Sequence, residues 1–415
     1  MAVAGPRLRH IFELPRLNFH SRKQQRYSLQ SGSNFHMLTG GDDTSLDNSP
    51  FYYDIAVFKM ATSLVKNLPF SPSVTGALLY ALTRAPDQYR KPLLQRLSQY
   101  LSPKNIARAI QTLKWLVALG LARNAHVFLS DIAQNNFRLR SERHRYVWET
   151  EIAVVTGAGS GFGALMSKGL AEKSIKVIAV DIKDELPLDL QAINNIHYYK
   201  CDITNRQSVM NMAEWIHQEH GEVSILINNA GVCYEHSILD ASEKALNNLY
   251  GVNIISHYYT LQAFLPNMIK NKKGHVVATA SMASFLSPPG LVPYCNTKAA
   301  VLSLHDGLLA EMRVMYKCPE VKFSIVHPTF ADTPMVQPFK NELNAAKAFV
   351  LDPQVVSDAV VKQILSGKGR QIIVGGGTGW LAGIRAWPHW ISQAILRSGD
   401  NKVKLAEVGQ ERTGG

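Results

Sequence analysis

The chain has 415 residues, a formal net charge of +12 and 46% hydrophobic residues. This length exceeds what a single core usually holds, so we expect one large domain with an added segment. The four cysteines are far apart and show no CxxC spacing, which excludes a disulfide framework and argues against a bound metal. We therefore expect an intracellular, reducing environment.

The charge is concentrated in the first third of the chain. Residues 1–150 contain 20 Lys and Arg against 9 Asp and Glu, whereas residues 151–415 contain 24 against 23. A basic block of this kind could meet anionic lipid, nucleic acid or an import receptor. We expect no nucleic-acid partner, because the segment has no zinc-finger spacing, RNA-binding signature or base-reading basic helix.

The first 147 residues divide into two regions. Residues 1–50 are polar and basic, which predicts a disordered tail with a weak similarity to a mitochondrial presequence. Residues 51–147 predict an amphipathic helical extension, with helices at 51–65, 74–82 and 105–128.

Membrane contact of this extension has two interpretations. The longest uncharged stretch contains Pro69 and Pro72, and the apolar run at 115–122 is far shorter than the roughly 20 residues that a spanning helix needs. We therefore expect no spanning helix. The extension either lies in a membrane surface, with Lys114 and Arg123 reaching to the interface, or packs on the large domain.

A strand, a glycine-rich loop and a helix follow one another from residue 151. Residues 151–156 form a β-branched run typical of a buried parallel strand, and residues 164–173 have the apolar spacing of a helix. Between them, Gly157 permits a tight turn, Gly161 admits a close backbone approach and Gly163 permits close packing of helix on strand. A dinucleotide pyrophosphate would lie at the positive end of that helix.

A second strand, residues 175–180, ends in Asp181. A carboxylate at this distance from the loop can accept hydrogen bonds from the adenosine ribose hydroxyls and would repel a 2′-phosphate. NAD is therefore favoured over NADP. NADP stays an alternative cofactor, because the nearby cation of Lys183 could accommodate the extra phosphate.

Ser281, Tyr294 and Lys298 form the candidate catalytic set. Tyr294 and Lys298 are four residues apart at the start of a helix predicted over residues 296–312, so we expect both side chains on one face. A nearby ammonium lowers the pKa of a phenol toward the range useful for acid and base chemistry. Ser281 ends a strand-like run, where its hydroxyl could hold the reacting oxygen. This combination predicts hydride transfer to or from an alcohol or ketone.

After the last predicted strand, residues 371–374, glycines and then several tryptophans follow. Trp380, Trp387 and Trp390 could line the mouth of a substrate pocket, rest at a lipid surface or pack in the core. We expect the large domain to span residues 148–378, followed by an aromatic segment and polar tail at 379–415.

With these motifs, the chain resembles the short-chain dehydrogenase/reductase superfamily over roughly residues 150–375. A looser resemblance, carried by the apolar segment before the first strand and by the helix at Tyr294, is to its membrane-associated retinol and 17β-hydroxysteroid dehydrogenase group. The resemblance implies an α/β, doubly wound Rossmann-like sheet with strand order 3-2-1-4-5-6-7, preceded by the basic helical extension.

The resemblance also implies roles for individual residues. It implies that Asn253 supports a proton relay and joins Ser281, Tyr294 and Lys298 as catalytic, and that Thr333 contacts the carboxamide of the cofactor. Thr329 departs from the family, which usually has glycine there. The residues that the motifs and the resemblance together assign to the cofactor are Gly157, Ser160, Gly161, Phe162, Gly163, Asp181, Asp202, Ile203, Asn229, Ala230, Gly231, Tyr294, Lys298 and Thr333.

We therefore predict an NAD(P)-dependent dehydrogenase or reductase that acts on CH–OH groups. The apolar loop 285–292 favours a retinoid, steroid or lipid-like substrate. The alternatives are an epimerase or dehydratase that retains its cofactor, and a non-catalytic dinucleotide-binding protein. We expect a homo-oligomer, membrane contact through residues 51–128 or 380–391, and a location at the endoplasmic reticulum or lipid droplet, with mitochondria as the alternative.

Overall fold

Seven parallel strands form one twisted sheet. The computed structural model describes residues 70–345, 348–375 and 377–400, so the predicted tails at 1–50 and 401–415 and the predicted helix at 51–65 lie outside the described residues. The strand order is β3-β2-β1-β4-β5-β6-β7. The strands are β1 (Ile152–Thr156), β2 (Lys176–Asp181), β3 (Ile196–Lys200), β4 (Ile225–Asn228), β5 (His275–Thr279), β6 (Lys322–Pro328) and β7 (Arg370–Val374).

The strands are buried because helices cover both faces of the sheet. Every residue of β1, β4 and β6 is buried, as expected for strands inside a parallel sheet that helices cover on both faces. The predicted doubly wound α/β fold and its strand order are confirmed. The helices are α1 (Pro72–Thr83), α2 (Asp87–Tyr100), α3 (Pro103–Gln134), α4 (Gly161–Ala171), α5 (Leu188–Gln191), α6 (Arg206–Glu219), α7 (Glu243–Tyr250), α8 (Ser256–Lys270), α9 (Val292–Val314), α10 (Lys340–Ala345), α11 (Pro353–Ser366) and α12 (His389–Asp400).

The core lies in two layers, one on each side of the sheet. On one side Met166 and Leu170 of α4 pack with Val356 and Val360 of α11. On the other side the buried residues come from α6, α8 and α9, among them Met212, Leu261 and Met312. The sheet is therefore held from both faces, and only the ends of its strands remain open to a ligand.

The structure contains a longer helix before the sheet than we predicted. Helix α3 begins after Ser102, whose hydroxyl accepts a hydrogen bond from Asn105 N at 3.4 Å, and it continues to Gln134. Its middle packs on α1, because Gly120 has no side chain to collide with Phe70 and Pro72. Helix α2 was not predicted; its many charges and Pro92 hide the helical pattern.

We predicted no helix that could span a membrane, but α3 is long enough and apolar enough to do so, and in this respect the prediction was wrong. Within the described residues, α3 has 32 residues and an 18-residue window of mean hydropathy 1.2, of which 6% is buried. The sequence argument counted only uninterrupted uncharged runs, so it stopped at Lys114 and Arg123. A single helix of this kind is weak evidence for a spanning segment.

The end of α3 is fastened to the open edge of the sheet. β7 pairs with β6 alone, so the N–H groups on its outer side need other partners. Gln134 Oε1 accepts a hydrogen bond from Gln371 N at 3.2 Å, and Asn135 Oδ1 accepts one from Gly369 N at 3.0 Å. These two side chains accept hydrogen bonds from N–H groups at the open edge of the sheet and connect the end of α3 to it.

The first helix after β1 comes unusually close to the loop that precedes it. A Cβ atom on Gly163 would lie 2.1 Å from Gly157 O and 2.7 Å from Asn229 Nδ2. Only glycine fits this contact, because neither the backbone oxygen nor the amide held between strands can move away.

We therefore expect Gly163→Ala to destabilise the protein by about 2 kcal/mol or more through overpacking. Gly307→Ala is the matched control on α9, where an added Cβ meets nothing within 4 Å. That change should stabilise the helix by roughly 0.5–1 kcal/mol. Urea unfolding of both variants measures the difference, and equal stability of the two would contradict the close contact.

Candidate active site

The carboxyl ends of the strands open into one large cleft. Its volume is about 1560 Å³. All of the sequence-predicted site residues line it except Gly163 and Asn253, which lie behind its wall: Gly157, Ser160, Gly161, Phe162, Asp181, Asp202, Ile203, Asn229, Ala230, Gly231, Ser281, Tyr294, Lys298 and Thr333. The fold thus brings together residues that are up to 176 positions apart in the sequence.

The loop between β1 and α4 is held by the end of β4. Thr156 Oγ1 accepts hydrogen bonds from Asn229 N at 3.0 Å and from Ala230 N at 3.1 Å. Asn229 Nδ2 donates to Thr156 O at 3.1 Å and to Gly157 O at 3.3 Å. The asparagine motif therefore fixes the shape of the glycine loop.

The same loop fits a pyrophosphate. Gly157 and Gly161 have φ angles of 68° and 54°, a left-handed conformation that favours glycine. With no side chains at these positions, the backbone and the first turn of α4 face the cleft, where free N–H groups and the helix dipole attract anions. The residues present match a dinucleotide diphosphate.

Asp181, at the end of β2, contacts the glycine loop directly. Its Oδ2 accepts a hydrogen bond from Gly159 N at 2.7 Å, while Lys183 Nζ donates to Gly159 O at 3.1 Å. The carboxylate and the ammonium thus both contact the backbone of Gly159 at the edge of the cleft. Asp202 follows β3, and its Oδ1 accepts from Thr204 N at 2.9 Å, which leaves its other oxygen available on the same wall.

Ser281 and Tyr294 face each other across the cleft. Ser281 follows the end of β5 by two residues, and its Oγ accepts a hydrogen bond from Ala283 N at 3.1 Å. The Tyr294 hydroxyl is within hydrogen-bonding reach of the Ser281 side chain. Ser284, in the turn after Ser281, donates from Oγ to Lys298 O at 2.8 Å, so the turn and α9 are joined.

Lys298 is buried beside Tyr294. Its ammonium donates to Thr279 O at 2.9 Å and lies 5.7 Å from the centre of the Tyr294 ring. Burial lowers the pKa of Lys298 to about 8. Thr279 as a lysine partner was not predicted from sequence, since no pattern marks a backbone carbonyl as an acceptor.

The net shift of the Tyr294 pKa is upward, whereas the spacing from Lys298 had predicted a lowered pKa. Burial, and after it Cys233, raise the pKa of the Tyr294 phenol, and only the hydrogen bond with Ser281 opposes them appreciably. The reason is that moving a phenolate out of water costs more than these neighbours return. Tyr294 is therefore a proton-bearing phenol at neutral pH.

Asn253 lies behind the cleft in a π-helical turn, Gly251–Ile255. Its Oδ1 accepts from Val232 N at 2.8 Å, and its Nδ2 donates to Val232 O at 2.9 Å and to Thr297 Oγ1 at 3.1 Å. The side chain is thus engaged in holding the segment after Gly231 against α9. A Cβ atom on Gly231 would lie 3.4 Å from Asn253 Oδ1 and 3.5 Å from Lys298 Nζ.

Thr329 and Thr333 follow β6. Thr333 is buried at the cleft wall, where its methyl group lies near Gly161. Thr329 stands where the family that this chain resembles usually has glycine. It donates its backbone N–H to Val374 O at 2.9 Å. Its side chain packs close to Gly375, so the added volume is met by a second glycine.

The far half of the cleft is apolar and includes the C-terminal segment. Trp380, Leu381 and Ile384 line it, and Trp380 stacks on Trp387 with ring centres 5.7 Å apart. No sequence signal predicted which of these residues reach the cleft. Other apolar lining residues are Val232, Phe285, Leu286, Pro288, Leu291, Phe330, Met335, Leu343 and Phe349. Among the described residues, no group of three or more His, Cys, Asp or Glu could hold a metal ion.

Comparison with known proteins shows the family. The family model for short chain dehydrogenases matches residues 151–344. Dehydrogenase RED2 of Cochliobolus heterostrophus is 37% identical over 252 residues, covering 60% of this chain and 92% of the relative. Estradiol 17-beta-dehydrogenase 11 of Homo sapiens is 31% identical over 221 residues, covering 52% of this chain and 72% of the relative.

A solved structure agrees at the level of the fold. A short-chain dehydrogenase from Streptomyces avermitilis superposes with a TM-score of 0.51 and 22% identity, covering 60% of this chain and 96% of the other. The strand order, the glycine loop, the facing Ser281 and Tyr294 and these relatives lead to one conclusion. The chain belongs to the short-chain dehydrogenase family and is an NAD(P)-dependent oxidoreductase that acts on CH–OH groups.

Proposed function

We propose that this enzyme interconverts a hydrophobic alcohol and the corresponding ketone or aldehyde, with Tyr294 as the group that exchanges the proton. The observation that carries the proposal is the meeting of Ser281 and Tyr294 at the floor of a cleft whose outer half is apolar. A bound nicotinamide dinucleotide supplies or accepts the hydride at the substrate carbon.

The residues that hold this dinucleotide are proposed to be the predicted set. Gly157, Ser160 and Gly161 face its phosphates, and Asp181 accepts hydrogen bonds from its ribose. The carboxylate at this position favours NAD over NADP. Further along the same cleft, the wall residues include Asp202, Ile203, Asn229, Ala230, Gly231 and Thr333.

Proton transfer is assigned to Tyr294. In reduction its hydroxyl donates a proton to the carbonyl oxygen; in oxidation its oxygen accepts the proton of the alcohol. Because burial keeps the phenol protonated, the side chain is already in the form that reduction requires. Ser281 donates a hydrogen bond from its hydroxyl to the same substrate oxygen and stabilises the charge that develops there.

Lys298 and Asn253 are proposed to support this step. The Lys298 ammonium has two N–H groups beyond the one that it gives to Thr279 O, and these can reach the ribose or a water. Lys298 Nζ and Asn253 Oδ1 both lie beside Gly231, so the Asn253 side chain is close to the ammonium. Asn253 acts mainly by holding the Val232 backbone in place.

The substrate class follows from the lining of the outer cleft. Apart from Arg385, whose Nε donates to Phe285 O at 3.1 Å, the side chains that the C-terminal segment and the loop after Ser281 contribute there are uncharged or imidazole. A ligand in this region exchanges water for apolar contacts, which favours a lipid-like, steroid-like or retinoid-like alcohol.

Membrane contact and location are further parts of the proposal. Along α3, Trp115, Leu119 and Leu129 lie on one face and are more than half exposed, and basic side chains such as Lys114 accompany them. An apolar helix face with basic borders is suited to an anionic membrane surface, so we propose that the enzyme works at an intracellular membrane or lipid droplet. Association of chains into a homo-oligomer stays a prediction.

Replacement of Tyr294 tests the assigned chemistry. We expect Tyr294→Phe to lower kcat on the order of 10³-fold, because the proton donor is lost, while the affinity for NADH stays within about twofold. Turnover of a panel of lipophilic alcohols is followed by nicotinamide absorbance, and NADH binding by fluorescence titration. Cys295→Ala is the neighbouring control, and wild-type activity of the Phe variant would refute the assignment.

Substitution in the C-terminal segment tests the substrate class. Ile384 is buried and lines the cleft, so Ile384→Ala should raise KM for a long-chain alcohol about tenfold and leave KM for a short alcohol nearly unchanged. Trp390→Ala is the control, since this exposed side chain does not line the cleft. Activity confined to sugars or polyols would contradict the apolar assignment.

Vesicle binding tests the membrane surface. Co-sedimentation with anionic phospholipid vesicles should be strong for the full chain and should fall about tenfold or more in the double variant Trp115→Glu, Leu119→Glu. Leu239→Glu, at an exposed leucine outside α3, should bind as the wild type does. If the double variant binds vesicles as the wild type does, this face of α3 is not the membrane-binding surface. If the double variant instead loses dimers while its vesicle binding is unchanged, the face serves the association of chains.

A further inference from the structure

A fully buried histidine lies behind the candidate catalytic serine. His327 is the sixth residue of β6 and has no exposed surface. Its Nδ1 lies 3.0 Å from Ser281 O, and its Nε2 lies 3.2 Å from Gln371 Nε2 on β7. The ring does not line the cleft, so it cannot touch a substrate.

The two partners determine which ring nitrogen carries the proton. A carbonyl oxygen can only accept, so Nδ1 must be the donor toward Ser281 O. The Gln371 amide nitrogen donates, so Nε2 must be the acceptor. Both contacts are satisfied together only by the neutral ring protonated at Nδ1, and burial, which lowers the pKa of His327 to about 4, keeps the ring neutral.

Ser281 is held by two successive residues of β6. Its carbonyl oxygen receives the His327 bond and also one from Ser284 N at 2.9 Å. Its Oγ lies 3.5 Å from Pro328 O, at the long limit for a hydrogen bond. The His327 contact is the stronger of the two links between β6 and Ser281.

The histidine is itself held from several sides. The ring packs on Phe285, with ring centres 4.7 Å apart, and Phe285 is part of the cleft wall. Gln371 donates its backbone N–H to Gln134 Oε1 at the end of α3. The side chains that orient Ser281 therefore reach from the end of α3 through β7 and β6.

We propose that His327, fixed in its Nδ1-protonated form by Gln371, is a positioning residue for Ser281. The inference rests on the proposed role of Ser281 in the reaction. Without the His327 N–H, the Ser281 backbone would be free to shift at the end of β5, and its hydroxyl would lose its alignment with the substrate oxygen.

Three variants test this role. His327→Leu should lower kcat about 30-fold, since a displacement of about 1 Å in a reacting group is costly, while KM for NADH stays within about twofold. His327→Asn keeps an amide N–H near the position of Nδ1 and should recover most of the loss. Gln371→Leu leaves the ring free to change its protonated nitrogen and should give an intermediate loss of kcat.

A matched control separates positioning from simple stability. His275 is an equally buried histidine on the neighbouring strand β5, and its Nε2 contacts Ser324 Oγ at 2.9 Å instead of Ser281. His275→Leu should lower the unfolding temperature as His327→Leu does but leave kcat near the wild-type value. Equal loss of kcat in both leucine variants would overturn the proposal.

A double-mutant cycle with Ser281→Ala gives the sharper test. If His327 acts through the Ser281 hydroxyl, His327→Leu should cause little further loss of kcat in the Ser281→Ala background. A loss that persists unchanged there would overturn the positioning role while leaving the proposed function intact. Full activity of Ser281→Ala alone would refute the role of Ser281 itself. If His327→Leu does not fold, the Asn and Gln371 variants decide the question.

Discussion

The parallel pairing of β1, β4, β5 and β6 is the constraint on which the site depends. Because all of these strands run in one direction, the residues that follow them meet at one edge of the sheet. Gly157 follows β1, Asn229 follows β4 and Ser281 follows β5 by two residues. The register of β5 on β6, with Thr279 opposite Val326, also sets His327 beside the serine turn. A slip of one residue would turn these side chains to the other face.

Much of this arrangement could be predicted from sequence, because it depends on local patterns. Buried β-branched runs identified the central strands, and the glycines after β1 identified the loop that Asn229 holds. The contacts made by the first 150 residues could not be predicted in the same way. Gln134 and Asn135 are ordinary polar residues at the end of a helix, and only the three-dimensional structure shows that they supply the edge of β7 with hydrogen-bond acceptors.

The electrostatics of the site were harder to predict than its composition. The four-residue spacing of Tyr294 and Lys298 correctly indicates neighbours, but it does not give their burial or the direction of the ammonium, which points to Thr279 O. Asn253 shows the same limit. The resemblance implied that its side chain supports a proton relay, whereas its amide is largely engaged with the Val232 backbone. Burial and backbone partners are properties of the fold as a whole.

Burial shifts the pKa values of the phenol and the amine in opposite directions, and both shifts favour the uncharged form. It raises the pKa of Tyr294 and lowers that of Lys298, so each side chain is driven toward its neutral form. A proton on Tyr294 is thus held firmly until an acceptor oxygen develops negative charge nearby. The hydrogen bond with Ser281 lowers the pKa of the Tyr294 phenol, so its alignment affects how readily the proton moves. That dependence explains why the backbone of Ser281 is fastened by a buried side chain that never reaches the cleft.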